Sequence, residues 1–284
     1  MKVLITGASG MTGSELGRQS RRKGWEVTTL THSDLDVAEL PAVEDAVGRA
    51  HPDVIFNAAA FTRVDAAEDA AEEAMAVNGT GAGNVAVTAR ANDALMIHIS
   101  TDYVFDGKSP LPYKPGDVVG PINVYGESKL AGEIAVRDEC PNHVIVRTSW
   151  VYSHDGKNFV RTMLDAAEKG NPLRVVNDQQ GCPTSSADLA AALIEAAEIA
   201  LKNGVTGTFH FCNAGATTWY DLAREIFRVR GIDANLTAIS SAEFEARAKR
   251  PRSSVLDCGS FISTFGVEPR PWQAALAETM GMMS

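Results

Sequence analysis

Cysteine is scarce in this chain of 284 residues: Cys140, Cys182, Cys212 and Cys258 lie far apart, with no CxxC spacing and no clustering of several Cys and His. That leaves neither a disulfide framework nor a zinc site to build on, and the four are read as reduced thiols. Basic charge is also short, with 26 Lys and Arg against 36 Asp and Glu and a formal net charge of -10. Such a balance offers no electrostatic footprint for nucleic acid or an anionic membrane, so an anionic ligand has to be met by local groups. No apolar run approaches the roughly 18 residues of a membrane span, and Met1-Lys2-Val3-Leu4-Ile5 runs straight into a glycine turn instead of a signal-cleavage region. The cytoplasm is the expected compartment. Internal repeats, low-complexity tracts and coiled-coil heptads are missing too.

What is present is an alternation. The length suits one large α/β unit with an appendage, or two modest domains. Short β-branched runs alternate with longer Ala-rich helical stretches, as a parallel sheet covered on both faces requires. Lys2–Thr6, Glu26–Leu30, Asp53–Asn57, Leu95–Ser100 and His143–Arg147 read as strands, while Thr12–Lys23, Ala66–Asn92 and Val124–Asp138 read as helices. Repeated in this way, the alternation implies right-handed crossovers and a Rossmann-type doubly wound parallel sheet. Beyond about Trp150 the order loosens, with helices near Asn158–Lys169 and Ser186–Lys202 and a strand near Leu173–Val176. The strand-like Gly207–Cys212 would return to the main sheet. The expected organisation is an NAD(P)-binding Rossmann domain from residues 1–150 plus about 177–213. A smaller, discontinuous α/β substrate-binding domain takes about 151–176 and 214–284.

Gly7-Ala8-Ser9-Gly10-Met11-Thr12-Gly13 follows the first strand and opens the first helix. There Gly7, Gly10, Met11, Thr12 and Gly13 can meet a pyrophosphate with backbone N–H groups and a helix N-terminus, unobstructed by side chains. Glycines alone often only make turns; the position between strand and helix is what points to a dinucleotide. The GxxGxxG spacing, one residue wider at the start than GxGxxG, favours the short-chain dehydrogenase variant. The second strand ends in Leu30-Thr31-His32-Ser33, with no carboxylate at its tip. A carboxylate there would chelate the ribose hydroxyls and reject a 2'-phosphate, so the reading leans to NADPH, with NADH tolerated. Thr31, His32 or Ser33 would hydrogen-bond that phosphate. Asp36 and Val37 would hold the adenine, by a carboxylate-to-amino hydrogen bond and an apolar contact.

Tyr125-Gly126-Glu127-Ser128-Lys129 sets a phenol and an ammonium on one helical face. Free tyrosine, with a pKa of about 10, is a poor acid near neutrality. A neighbouring ammonium and a helix N-terminus both favour phenolate, and a fall of about 3 units corresponds to about 4 kcal/mol. Tyr125 would then protonate a ketone oxygen as hydride reaches its carbon, while Thr101 holds that oxygen by a hydrogen bond. Lys129 would also reach the nicotinamide ribose. A YxxxK pair can be an ordinary i,i+4 contact, but Thr101 directly follows a strand, as do Gly7, Asn57-Ala58-Ala59-Ala60 and Trp150. Sites in open parallel sheets lie beyond the carboxyl ends of strands. Together these parts imply a nicotinamide-dependent carbonyl reductase.

The motifs resemble the extended short-chain dehydrogenase/reductase superfamily, and within it the dTDP-4-dehydrorhamnose reductases, over nearly the whole chain. The resemblance rests also on Leu35-Asp36-Val37, Ala58-Ala59-Ala60-Phe61-Thr62-Arg63-Val64-Asp65, Ser100-Thr101-Asp102-Tyr103-Val104-Phe105, Arg147-Thr148-Ser149-Trp150 and Asp178-Gln179-Gln180-Gly181-Cys182-Pro183-Thr184. It implies reduction of the 4-keto group of a dTDP-4-keto-6-deoxy-L-sugar to dTDP-L-rhamnose by NADPH or NADH, with Thr101, Tyr125 and Lys129 catalytic. It further implies that Ala59, Ala60 and Thr62 line the dinucleotide, that Val64, Asp102, Tyr103 and Trp150 wall the sugar, and that Asn158 lies at the nucleotide-binding face. Arg250 and Arg252 are candidate diphosphate partners, because planar guanidinium groups suit phosphate oxygens. A homodimer with Mg2+ at the subunit contact is a further implication; Glu15 lies in a plausible region, and no metal ligand is assigned. Two alternatives stay open: another nucleotide-linked 4-ketosugar reductase, and a non-catalytic regulatory subunit resembling the methionine adenosyltransferase beta subunit. Intact Thr101, Tyr125 and Lys129 argue for catalysis.

Overall fold

The computed structural model describes residues 1–170 and 172–283. Its first half runs β1 (Lys2–Thr6), α1 (Met11–Arg22), β2 (Glu26–Leu30), α2 (Leu40–Ala50), β3 (Val54–Asn57), α3 (Val64–Ala67), α4 (Ala71–Met75), α5 (Gly81–Ala91), β4 (Leu95–Thr101), α6 (Val124–Glu139) and β5 (His143–Thr148). The second half runs β6 (Val151–Tyr152), α7 (Phe159–Glu168), β7 (Leu173–Val176), β8 (Gln180–Gly181), β9 (Thr184–Ser185), α8 (Ser186–Asn203), β10 (Gly207–His210), β11 (Thr217–Thr218), α9 (Trp219–Arg230), β12 (Leu236–Ile239), α10 (Ser241–Phe244), α11 (Gly259–Phe265) and α12 (Trp272–Gly281).

Six strands form one parallel sheet in the order β10-β5-β4-β3-β1-β2. Because β1 lies between β2 and β3, successive connections leave it in opposite directions and open a crevice at its carboxyl end. Alternate strand residues serve opposite faces. Val3, Ile5, Phe56 and Ile97 pack against α1, α8 and α11, while Leu4, Ile55, Met96 and Ile145 pack against α2, α5 and α6. Double-sided burial is why these strands read as continuous apolar runs instead of alternating ones. A separate core of Tyr152, Leu164, Leu222, Ile226 and Leu276 joins α7, α9 and α12 beside the short strand pairs of the second half. Among the described residues, no helix is long and apolar enough to cross a membrane.

Two expectations change here. The single helix read over Ala66–Asn92 is broken into α3, α4, a π-helical turn at Ala76–Thr80, and α5. The π turn delivers Asn78, whose amide accepts from Phe61 N at 2.8 Å and donates to Phe61 O at 3.0 Å and Ser128 Oγ at 2.9 Å. A buried amide with partners on two other segments fixes the backbone more firmly than helix propensity does. The cysteines are free, as expected, but not scattered. Cys182, Cys212 and Cys258 share one small core, and the Cys212 and Cys258 sulfurs lie 3.6 Å apart.

Candidate active site

Beyond the carboxyl ends of β1, β3, β4 and β5 lies a cleft of about 800 Å³. Gly7 opens it with φ +64°, and a Cβ built there would fall 2.6 Å from Ala58 C and O, so only a bare backbone lets the first turn touch the exit of β3. Helix α1 has Gly10 as its N-cap and so no side-chain cap, which leaves its first N–H groups free for an anion. This cradle fits a dinucleotide pyrophosphate. Of the residues named from the sequence, Gly7, Gly10, Met11, Thr12, Gly13, Asp36, Val37, Ala59, Ala60 and Thr62 line the cleft. Val64, Thr101, Asp102, Tyr103, Tyr125, Lys129 and Trp150 line it as well.

Asn158 is not among the lining residues. It caps α7 instead: its Oδ1 accepts from Arg161 N at 3.2 Å, and its Nδ2 donates to Ser153 O at 2.8 Å. With the amide committed to the turn, the neighbouring Lys157 reaches the cleft.

At the reacting end, the Asn123 side chain caps α6 by accepting from Gly126 N at 2.8 Å, which places Tyr125 in the first turn of that helix. The expected ammonium-to-phenol pairing is not what sets the phenol. Lys129, buried, donates from Nζ to Ile99 O at 2.7 Å, and burial lowers its pKa to about 8. Burial pushes Tyr125 up to about 12; a Thr101 hydrogen bond pulls the other way, and the Asp102 charge adds to the rise. Desolvation outweighs the attraction because surrounding protein shields the phenolate charge from part of its water. Thr101 also differs from expectation: its hydroxyl donates to Asp102 Oδ1 at 3.0 Å and accepts from Tyr103 N at 3.2 Å.

The tip of β2 carries a carboxylate that the linear order conceals. Asp34 turns back so that its Oδ2 accepts from Thr31 N at 2.9 Å and Thr31 Oγ1 at 2.6 Å, with Ser33 Oγ 2.8 Å from Thr31 Oγ1. The Thr31 hydroxyl and backbone donations hold Asp34 below the usual carboxylate range. Both hydroxyls offered to a phosphate are thus already engaged, and His32 is the tip residue that faces the cleft.

The aromatic wall has a member that sequence reasoning missed. Trp150, at φ +48°, stacks on Trp219 with centroids 3.6 Å apart and planes at 9°. Its indole also covers Gly181, where a Cβ would meet the ring at 2.4 Å. Trp219 starts a helix in the second half and carries no motif, so nothing local marks it. Arg250 lines the cleft but forks onto Asp65 at 2.8 and 3.1 Å, which lowers the Asp65 pKa. Arg252 is not among the lining residues. Glu15 is buried, with Arg18 and Gln19 both donating to its carboxylate and His154 3.6 Å away. Its charge is already answered, and among the described residues no three His, Cys, Asp or Glu side chains stand together as a metal site. Within one chain the residues around Glu15 do not by themselves make a Mg2+ site.

A glycine cradle at β1, a threonine at the end of β4 and a Tyr/Lys pair on α6, brought into one cleft, define an extended short-chain dehydrogenase/reductase. Residues 1–284 match the family described as RmlD substrate binding domain, and the chain belongs to that family. It is 41% identical over 280 residues to a dTDP-4-dehydrorhamnose reductase of Sinorhizobium fredii, covering 96% of this chain and 94% of that protein. A crystal structure of a dTDP-4-dehydrorhamnose reductase from Clostridium acetobutylicum superposes with a TM-score of 0.95 at 40% identity, covering 99% of both chains. Another, from Bacillus anthracis in complex with NADP, gives 0.93 at 35% identity with the same coverage.

Proposed function

We propose that this protein reduces the C4 ketone of a dTDP-4-keto-6-deoxy-L-sugar to give dTDP-L-rhamnose, using NADPH or NADH. The convergence of Thr101, Tyr125 and Lys129 on one cleft with the glycine cradle carries this reading. The reduced nicotinamide, when bound, supplies the hydride. Tyr125 donates the proton to the ketone oxygen, and a pKa of about 12 keeps its phenol protonated at neutral pH. An ammonium has three donors, so with one on Ile99 O, Lys129 keeps two for the nicotinamide ribose. In this reading Asp36 and Val37 take the adenine, and Ala59, Ala60 and Thr62 flank the dinucleotide. Val64, Asp102, Tyr103 and the Trp150–Trp219 pair wall the sugar, and Lys157 in place of Asn158 offers charge to the diphosphate.

The assay is loss of nicotinamide absorbance with enzymatically generated dTDP-4-keto-6-deoxy-L-sugar, run with NADPH and with NADH. Oxidation with formation of dTDP-L-rhamnose is the expected result. Dinucleotide binding without oxidation would overturn the assignment, in favour of another ketosugar or of the regulatory-subunit alternative. Asp34 makes a second expectation available. Asp34→Asn removes a negative charge beside the place of a 2'-phosphate, so the NADPH/NADH affinity ratio should rise by roughly threefold, the scale of an exposed charge. Fluorescence titration of the free protein measures it, and an unchanged ratio removes Asp34 from cofactor choice.

A further inference from the structure

Asp102 is buried at the start of the turn after β4, beside both Thr101 and Tyr125. One carboxyl oxygen takes the Thr101 hydroxyl at 3.0 Å; the other, Oδ2, is buried and takes no well-aligned hydrogen bond, although the nearby Ser254 hydroxyl favours its charged form. A buried carboxylate oxygen left unpaired is costly, and the cost falls away when the group carries a proton. No cation answers this charge. Arg250 is forked onto Asp65, and Lys129 donates to Ile99 O. The groups facing the carboxyl are Thr101 from β4, Tyr103 from its own turn, Tyr125 from α6, Ser254 ahead of α11, and the Cys182 thiol between β8 and β9.

We infer that Asp102 is a positioning residue that sets the direction of the Thr101 hydroxyl through its own protonation state. Thr101 has one hydrogen to give. When Asp102 is ionised it can only accept, so that hydrogen is drawn onto Oδ1 and away from the substrate. When Asp102 takes up a proton from water, its O–H donates to Thr101 Oγ1, the Tyr103 N–H stays on the other lone pair, and the threonine hydrogen turns to the ketone oxygen. The Thr101–Asp102 contact is kept and its direction reversed. The developing oxyanion then meets two donors, Tyr125 and Thr101, where the ionised site offers one. Burial lifts Asp102 to about 7, which puts the exchange near neutrality. The inference rests on the reductase reading above.

The test is the pH dependence of kcat for the full protein with dTDP-ketosugar, in wild type and Asp102→Asn. The asparagine amide can donate to Thr101 as the protonated acid does, but cannot titrate. Wild-type kcat should fall by roughly tenfold or more as pH rises from about 6 to 8.5, the order seen on loss of an oxyanion donor. The Asn variant should lose the limb near 7 and keep only one near 8, where buried Lys129 gives up its proton, whatever its absolute rate. Infrared titration of the free protein supplies a readout apart from turnover: a carboxylic-acid carbonyl band that fades as pH rises through about 7 and is missing in Asp102→Asn. A limb near 7 in both proteins, or no titrating band in wild type, overturns the inference. Absence of wild-type turnover overturns the reductase reading instead, and the inference with it.

Discussion

Tyr125→Phe should lower kcat by about 10²- to 10⁴-fold, the usual contribution of a positioned general acid, while dinucleotide affinity changes little. The substitution keeps the ring and with it the edge-on contact to Tyr103, at 5.9 Å between centroids. What disappears is the hydroxyl that gives its proton to the ketone oxygen. Stopped-flow loss of nicotinamide absorbance, set beside fluorescence titration of the cofactor, separates the two effects. Near-wild-type turnover would remove Tyr125 from the chemistry. The raised pKa keeps Tyr125 in its protonated form at neutral pH, the form that reduction needs.

Glu133→Ala should destabilise the fold by about 3–5 kcal/mol, because it strands a buried cation. Glu133 is fully buried on α6 and accepts from Arg147 Nη2 at 2.7 Å, Arg147 Nε at 2.8 Å and Ser100 Oγ at 2.6 Å. Arg147, itself 3% exposed, would keep its charge with no carboxylate beside it. Urea unfolding at neutral pH measures the loss, and a value under about 1 kcal/mol would show that water or Pro115 O, 3.1 Å from Nη1, answers the charge instead. The pH dependence has a definite sign. Arg147 holds the Glu133 pKa below its usual value despite burial. The pair therefore stabilises above the unfolded carboxyl pKa of about 4.3, and that stability is lost as pH falls through the lower, folded value. Wild type should show this acid-side loss, and Glu133→Gln should not.

Those two residues mark what a linear reading can reach. Tyr125 was legible because its partners are local: four residues separate it from Lys129, and a strand end marks Thr101. The sheet was legible too, since burial on both faces forces apolar runs such as Val54–Phe56. Arg250 was visible as a cation but not as one already paired, because Asp65 lies 185 positions away. Trp219 and the convergence of Cys182, Cys212 and Cys258 depend equally on tertiary folding. Distance along the chain is not the only veil. Asp34 is three residues from Thr31 and still escaped notice, because only the turn reveals that it occupies the strand tip. Asn158 was placed at the right loop, but whether an asparagine caps or binds depends on where its amide points.

The indole of Trp150 resting on bare backbone has a consequence for how this sequence can drift. A side chain at position 181 would have to enter the space the ring fills, at 2.4 Å from its nearest atom. Positions 150 and 181 are therefore not independent letters. A descendant that keeps the tryptophan must keep the glycine beneath it, and one that trims the tryptophan frees position 181 to vary. Gly181 bears no reactive group, yet its history is tied to that of a residue facing the cleft.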